Sequence, residues 1–335
     1  MNKHKGKITK CFLDSVKDIQ AGADGFHKIP IQKVGVRNIK IPFTLAIKDS
    51  KEVFKTIATV SSYCELSSDK KGINMSRISR SLNEYVPKFG CYEEIENAVR
   101  LLKKNHESET AWIKVKFEYV IKSKSPISNI NSYEPLNVEM QCKIDKKDQI
   151  TNLMSVKMIA MSLCPCSKNM SLLTNNLNKD ERSWYDYLLD SNPTLPESLK
   201  HKFENAGFGA HNQKSKIKTT IKVNENELHN IWIEDIFTLI QNAASSPTFT
   251  TIKREDEKFI TEVSYMGGYY DDNGNFVEVD GTGPAFVEDI ARNVAHELNK
   301  IDIINDYTIT VCNQESIHSG EIEAVAVLFK ETDLR

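Results

Sequence analysis

Strict alternation over Ile113, Val115, Phe117, Tyr119 and Ile121 is the feature that most limits what this chain can fold into. Side chains two apart in an extended strand share a face, so this run requires a sheet with one face on a core and the other solvated. Lys33 to Ala46 and Val53 to Leu66 are rich in Val, Ile, Thr and Phe and read as a strand pair. Leu136 to Ile144 alternates again, less strictly. Between these runs residues 77 to 107 carry helical spacing, with Ile95, Ala98, Val99 and Leu102 on one face. The order is strand, strand, helices, strand, strand.

A similar order recurs. Ile150 to Leu163 and Lys216 to Val223 read as strands. Helical stripes follow at Ile231, Phe237, Ile240 and Ala244, and at Phe286, Ile290, Val294 and Leu298. Tyr307 to Cys312 and Ile322 to Phe329 close the set as strands. The expectation is an α+β chain of two ββααββ-like halves, antiparallel sheets with helices packed on one face. The boundary falls near residues 145 to 150, giving modules 1–148 and 149–335, and 335 residues suit two domains. Residues 1 to 30 read as a ragged leader. Residues 174 to 206, polar and helix-prone, and 267 to 283, with loop or hairpin composition, read as tolerated insertions.

The 44 basic and 46 acidic residues leave a net charge of −2, so no bulk field argues for nucleic acid or membrane as partner. The apolar runs are far short of a membrane span. The start, Met-Asn-Lys-His-Lys-Gly-Lys, has no apolar stretch after its basic residues and does not read as a signal peptide. Seven scattered cysteines then argue for reduced thiols, and a cytoplasmic location is expected.

Cys164 and Cys166 flank Pro165 at the end of an apolar strand, where extended geometry can turn both thiols to one cavity unless Pro165 bends the chain and divides their roles. The plainer reading is two cysteines packing as small hydrophobes. His211 lies after Gly207 and Gly209, which permit close backbone approach. With Glu257 and His318 these residues offer a borderline-soft metal such as zinc three or four ligands and an open position for water, the arrangement of a hydrolase. Lys253 and Arg254 open a charge run, normally a solvated face, that is expected to precede a strand over Phe259 to Tyr265; the pair suits a phosphate chain. Glu288 sits near a helix start, where a carboxylate serves the helix dipole or accepts two N–H bonds from a guanine or pterin edge. Ser76 and Arg77 can add phosphate contacts.

Together these segments resemble GTP cyclohydrolase IB, the prokaryotic type. The matching pieces are Asp18-Ile19-Gln20 with Asp24, Val34-Gly35-Val36, Lys71-Gly72 with Met75-Ser76-Arg77, and Ser162-Leu163-Cys164-Pro165-Cys166-Ser167-Lys168. They continue with Gly209-Ala210-His211-Asn212-Gln213, Lys253-Arg254 with Asp256-Glu257-Lys258, Phe286-Val287-Glu288-Asp289, and Glu315-Ser316-Ile317-His318. The set appears in the family's order over nearly the whole chain.

The resemblance implies a tunnelling fold of two tandem modules and assembly into homo-oligomers, usually tetramers, with sites at interfaces. It implies conversion of GTP and water to 7,8-dihydroneopterin triphosphate and formate, a product that feeds tetrahydrofolate (folate) and queuosine synthesis. Carried over residue by residue, it implies Cys164, His211 and Glu257 as metal ligands and His318 as a further ligand or proton shuttle. Glu288 becomes the guanine anchor, Cys166 or His318 a proton donor, and Lys253, Arg254, Ser76 and Arg77 the triphosphate contacts. The ligand set accepts Zn²⁺, Mn²⁺ or Fe²⁺, and a bound divalent ion lowers the pKa of its water to about 7. The chain departs from the family pattern at Asn74, where histidine is common, at Gly320, where a second histidine is common, and at Lys214, where arginine is usual. Competing functions are a cyclohydrolase that stops at a cyclic phosphate and a non-catalytic purine- or pterin-binding protein of the same fold.

Overall fold

The structure is a computed structural model that describes residues 28–85, 92–173, 209–225, 227 and 230–330. The Asp18–Gln20 and Asp24 pieces, most of the leader and all of the insertion at 174–206 lie outside the described residues.

Eight of the strands expected from sequence begin or end within a few residues of their predicted limits. β1 (Ile31–Ala46) and β2 (Val53–Leu66) form a hairpin, α1 (Met75–Tyr85) and α2 (Tyr92–His106) follow, and β3 (Ala111–Lys124) and β4 (Asn131–Ile144) complete the first half. A tight turn at Asp145 to Gln149 leads into β5 (Ile150–Leu163). The second half continues with α3 (Pro165–Leu173), β6 (Asn212–Asn224), α4 (Ile233–Asn242), α5 (Arg254–Met266), the small hairpin β7 (Gly268–Tyr270) and β8 (Phe276–Glu278), α6 (Val287–Leu298), β9 (Asp306–Gln314) and β10 (Glu323–Phe329).

The long strands form one antiparallel sheet in the order β1-β2-β3-β4-β5-β6-β9-β10, and β4 pairing with β5 makes it continuous across the two halves. The alternation dictates which face is covered. Ile113, Val115 and Phe117 on β3, Val138 and Met140 on β4, Met154 and Val156 on β5 and Ile217 and Ile221 on β6 are all buried. Against them pack Val99 and Leu102 of α2, Ile236 and Ile240 of α4, and Ile290 and Val294 of α6. Burying each such side chain contributes roughly 1.5–3 kcal/mol. This is the α+β, helix-on-one-face arrangement of ββααββ order expected of a tunnelling fold.

Two helices differ from the sequence expectation: α3, which the sequence reading does not place after β5, and α5. Phe259 to Tyr265 is helical, as part of α5, not a strand. Its polar residues obscure the helical period, since the side that faces inward carries Asp256, Val263 and Ser264 rather than an apolar stripe. Gly267, in the left-handed region at φ 77, ends the helix by donating to the Val263 carbonyl at 2.9 Å.

Two ends of the sheet matter for function. One carries the β1–β2 and β3–β4 turns, the end of β5 and the start of β6; the other carries Leu66, Ala111, Ile144 and Ile150. At the strand rise of about 3.3 Å per residue, they lie about 40 Å apart.

Candidate active site

β5 ends at Leu163 and Pro165 opens α3, so Cys164 occupies the N-cap position, with proline where its fixed φ suits a first helical turn. The Ser167 N–H donates to Cys164 Sγ at 3.4 Å, and the Ser167 hydroxyl donates to the Cys164 carbonyl at 3.2 Å. The β5–β6 ladder terminates at Leu163 opposite Asn212, and one residue further the Cys164 N–H donates to the His211 carbonyl at 3.2 Å. The His211 N–H in turn donates to Ser167 Oγ at 3.3 Å. Two residues 47 positions apart in sequence are thereby neighbours. The His211 ring is oriented by Nδ1 against Ser316 Oγ at 3.1 Å, which leaves Nε2 as the nitrogen open to a ligand. Ser316 belongs to the β9–β10 loop, so this contact also brings the loop carrying exposed His318 to the same end.

Cys166 corrects the strand-face expectation. It lies inside α3 and is exposed, because the chain turns helical at Pro165 and the two-residue alternation stops there.

Beneath Cys164 and His211 runs a buried polar network. Asn313 Nδ2 donates to Ser162 Oγ at 2.9 Å and to Gln213 Oε1 at 3.2 Å, Ser215 donates to Asn313 Oδ1, and Gln213 Nε2 donates to Glu315. Buried polar groups of this kind are stable only when mutually satisfied, and here they lock the ends of β5, β6 and β9 in register. Ser162 also donates to the Ala285 carbonyl at 2.7 Å, and the Ala285 N–H donates to the Leu163 carbonyl at 3.2 Å. That pins the start of α6 beside Cys164. Glu288 is exposed in the first turn of α6, while the neighbouring Asp289 accepts the Phe286 N–H at 3.0 Å. Asp289 caps the helix, so Glu288 is free of that structural duty.

Lys253, Arg254 and Glu257 are exposed at the start of α5. The far end of this helix reaches α3, where Lys168 Nζ donates to the Tyr265 carbonyl and sits 4.7 Å from the Tyr265 ring centroid. Burial lowers the Lys168 pKa. Glu257 therefore lies about 12 Å along the helix from the end that touches the Cys164 turn. Among the described residues no three His, Cys, Asp or Glu side chains gather as a metal-ligand set. A thiol and an imidazole nitrogen, Cys164 and His211, fit a borderline-soft divalent ion as two ligands; the described residues of one chain bring neither Glu257 nor His318 into a set of three.

Ser76 and Arg77 stand apart from all of these. They are exposed at the start of α1, beside a hollow of about 290 Å³ lined by Leu66, Lys70, Asn74 and His106, at the sheet end opposite Cys164. Asn74, the departure noted above, caps α1: its Oδ1 accepts the Arg77 N–H at 3.2 Å and the Ser76 hydroxyl at 2.6 Å. Gly320, the other departure, holds φ +82, a conformation glycine adopts without strain. A cavity of about 1080 Å³ opens on the polar face of the sheet between Lys40, Lys116, Lys157 and Lys218, away from the cysteines. The chemistry follows the convergence of side chains, not this hollow.

Comparison with known proteins decides the family. The sequence model described as Type I GTP cyclohydrolase folE2 matches residues 16–324. The chain belongs to that family. GTP cyclohydrolase FolE2 of Pseudothermotoga lettingae is 32% identical over 321 residues, 94% of this chain and 100% of that protein. The FolE2 proteins of Nitrosomonas eutropha and Thermotoga maritima are 32% and 30% identical and cover 92% and 91% of this chain, 94% of each relative. Among solved structures, uricase from Arthrobacter globiformis aligns with 89% of this chain and 92% of its own at 6% identity and a TM-score of 0.45.

Residues outside the sequence reading also shape the candidate site. Asn313, Ser316, Lys168 and Asp256 position the candidates above. Asn313 left a usable signal, a polar residue in phase with buried Ile309 and Val311 on an alternating strand; Asp256 was hidden inside a charge run.

The thiols differ sharply in environment. Burial pushes the Cys64 thiol up to about 12 and raises Cys142 further, where the nearby Glu96 charge adds to it. Only thiolates react readily. Iodoacetamide treatment of the native protein at pH 8, followed by peptide mapping, is expected to label Cys166 and leave Cys64 and Cys142 unlabelled until denaturation.

Proposed function

We propose that this chain is a GTP cyclohydrolase of type IB, hydrolysing GTP at C8 to release formate and form 7,8-dihydroneopterin triphosphate. The observation that carries the reading is the meeting of Cys164, His211 and the start of α6 at one end of the sheet, in a chain that belongs to the FolE2 family. Cys164 and His211 would hold a Zn²⁺, Mn²⁺ or Fe²⁺ ion. When bound, such an ion supplies a nucleophilic water near neutral pH.

The chain's own groups then do the following. Glu288, with Asp289 taking the capping duty, accepts the two guanine N–H bonds and sets the purine against Cys164. Lys253 and Arg254 neutralise the triphosphate by charge-assisted hydrogen bonds. Cys166 or His318, both exposed at this end, delivers the proton that ring opening requires. The separation from Cys164 of the α5 start, with Lys253, Arg254 and Glu257, and of Ser76–Arg77 within one chain supports a site completed by a neighbouring copy, in a homo-oligomer of four. The element order supports 1–148 and 149–335 as tandem tunnelling-fold modules. Free Cys64, Cys142, Cys164, Cys166 and Cys312 suit a reducing, cytoplasmic compartment, where the product would enter folate or queuosine synthesis.

Metal-stripped protein incubated with GTP, with and without Zn²⁺, Mn²⁺ or Fe²⁺, tests this reading. Formate and oxidised-pterin fluorescence should appear together and only with metal; neither signal under any metal sinks the cyclohydrolase reading, and a cyclic phosphate by mass changes the product. Glu288→Gln should lower kcat/KM for GTP roughly 10²-fold, since one charge-assisted anchor is lost. Steady-state kinetics showing an unchanged kcat/KM would remove the anchor role.

A further inference from the structure

Asp256 is a fully buried carboxylate on a helix whose other early residues are exposed. Its oxygens are saturated. Oδ1 accepts the Ile127 and Ser128 N–H groups, both at 2.9 Å, and Oδ2 accepts the Lys253 N–H at 2.8 Å and the Ser128 hydroxyl. Ile127 and Ser128 are in the turn between β3 and β4, in the first half of the chain. Ser128 is itself braced by Ser125, the two hydroxyls 2.7 Å apart. One step upstream the same hairpin holds the approach to α5: the Thr250 and Thr251 N–H groups donate to Ser132 Oγ at 3.0 and 3.1 Å, and the Tyr133 N–H donates to Thr250 Oγ1 at 3.0 Å.

The start of α5 is thus hung on the first half of the chain. Its N-cap residue, Lys253, makes no side-chain cap bond, so the backbone bond from Lys253 to Asp256 is what orients the cap. Lys253 and Arg254 are long, exposed and flexible; their field acts on a ligand only if their Cα atoms are held. We propose that Asp256 is a positioning residue for substrate: by clamping Lys253 to the β3–β4 turn it aims the Lys253–Arg254 pair at the triphosphate of GTP. This rests on the phosphate-grip reading above and adds to it the group that sets the grip.

Steady-state formate release tests it with wild type, Asp256→Asn and Ser128→Ala, each also in a Lys253→Ala/Arg254→Ala background, with thermal melts reporting the folded fraction. Asp256→Asn should raise KM for GTP about tenfold with kcat within about twofold, and Ser128→Ala, which loses one of the four bonds, should raise KM about threefold. Neither should raise KM further once the basic pair is gone, because groups that act through one another are not additive. A general loss of stability would instead lower kcat alike in both backgrounds. If Asp256→Asn fails to fold, Ser128→Ala carries the test. An active wild type whose KM is unmoved by the folded variants, or moved by the same factor in both backgrounds, overturns this inference alone. A wild type that turns over no GTP overturns the proposed function and this inference with it.

Discussion

Cys164→Ala is expected to abolish formate release from GTP, a loss of at least about 10³-fold in kcat, with the far-UV spectrum and oligomeric state unchanged. The thiol is half-exposed at the junction of β5 and α3, and the Ser167 N–H donates to it. Removing the sulfur therefore leaves the Cys164 N–H to His211 carbonyl bond and the Ser167 hydroxyl contacts with both residues in place. Metal content measured on the same preparation should fall with turnover. Full activity in a metal-replete Cys164→Ala protein would remove the metal-site reading altogether.

The second large effect concerns stability. Asp256→Ala should destabilise the fold by about 3 kcal/mol, since four part-buried donors lose a fully buried, charged acceptor at once. Urea unfolding followed by circular dichroism measures it, and a loss below about 0.5 kcal/mol, the scale of an ordinary surface change, would contradict the clamp. A pH dependence accompanies it. Burial alone would raise this carboxyl's pKa, but the hydrogen bonds from Ser128, Lys253 and Ile127 outweigh it and hold the group well below the usual carboxylate range. A depressed folded-state pKa means that the stabilisation is fully present above the unfolded value of about 3.9 and is lost as pH falls below it toward the folded value. Asp256→Asn should flatten that acid limb of the stability curve while leaving its shape above pH 6 unchanged. An acid limb as steep as that of wild type would assign it to other carboxylates.

These two residues differ in how visible they were beforehand. Cys164 stands in a segment whose composition alone suggests a ligand, and its strand was legible from a run of apolar residues ending at Leu163. Asp256 lies between Glu255 and Glu257 and has no distinguishing local context. Its burial depends on a hairpin turn about 128 residues earlier in the chain, and no periodicity encodes such a distance. The same holds for α5 as a whole. A charge run followed by Phe259, Ile260 and Val263 is ambiguous between strand and helix. The ambiguity is resolved by where its polar Asp256 and Ser264 are buried, a tertiary matter.

By itself the sequence determined the order of the eight long strands, the covered face of the sheet and the family, because side-chain alternation and ordered motifs are local properties written every two to four residues. Only the tertiary structure decided which candidates meet. Strand register places Cys164 against His211 and sends Arg77 to the far end of the sheet. The helical turn at Pro165 takes Cys166 off the strand face. Those outcomes depend on hydrogen bonds between residues far apart in the chain, whose pairing is selected by packing of the whole sheet rather than by any one segment.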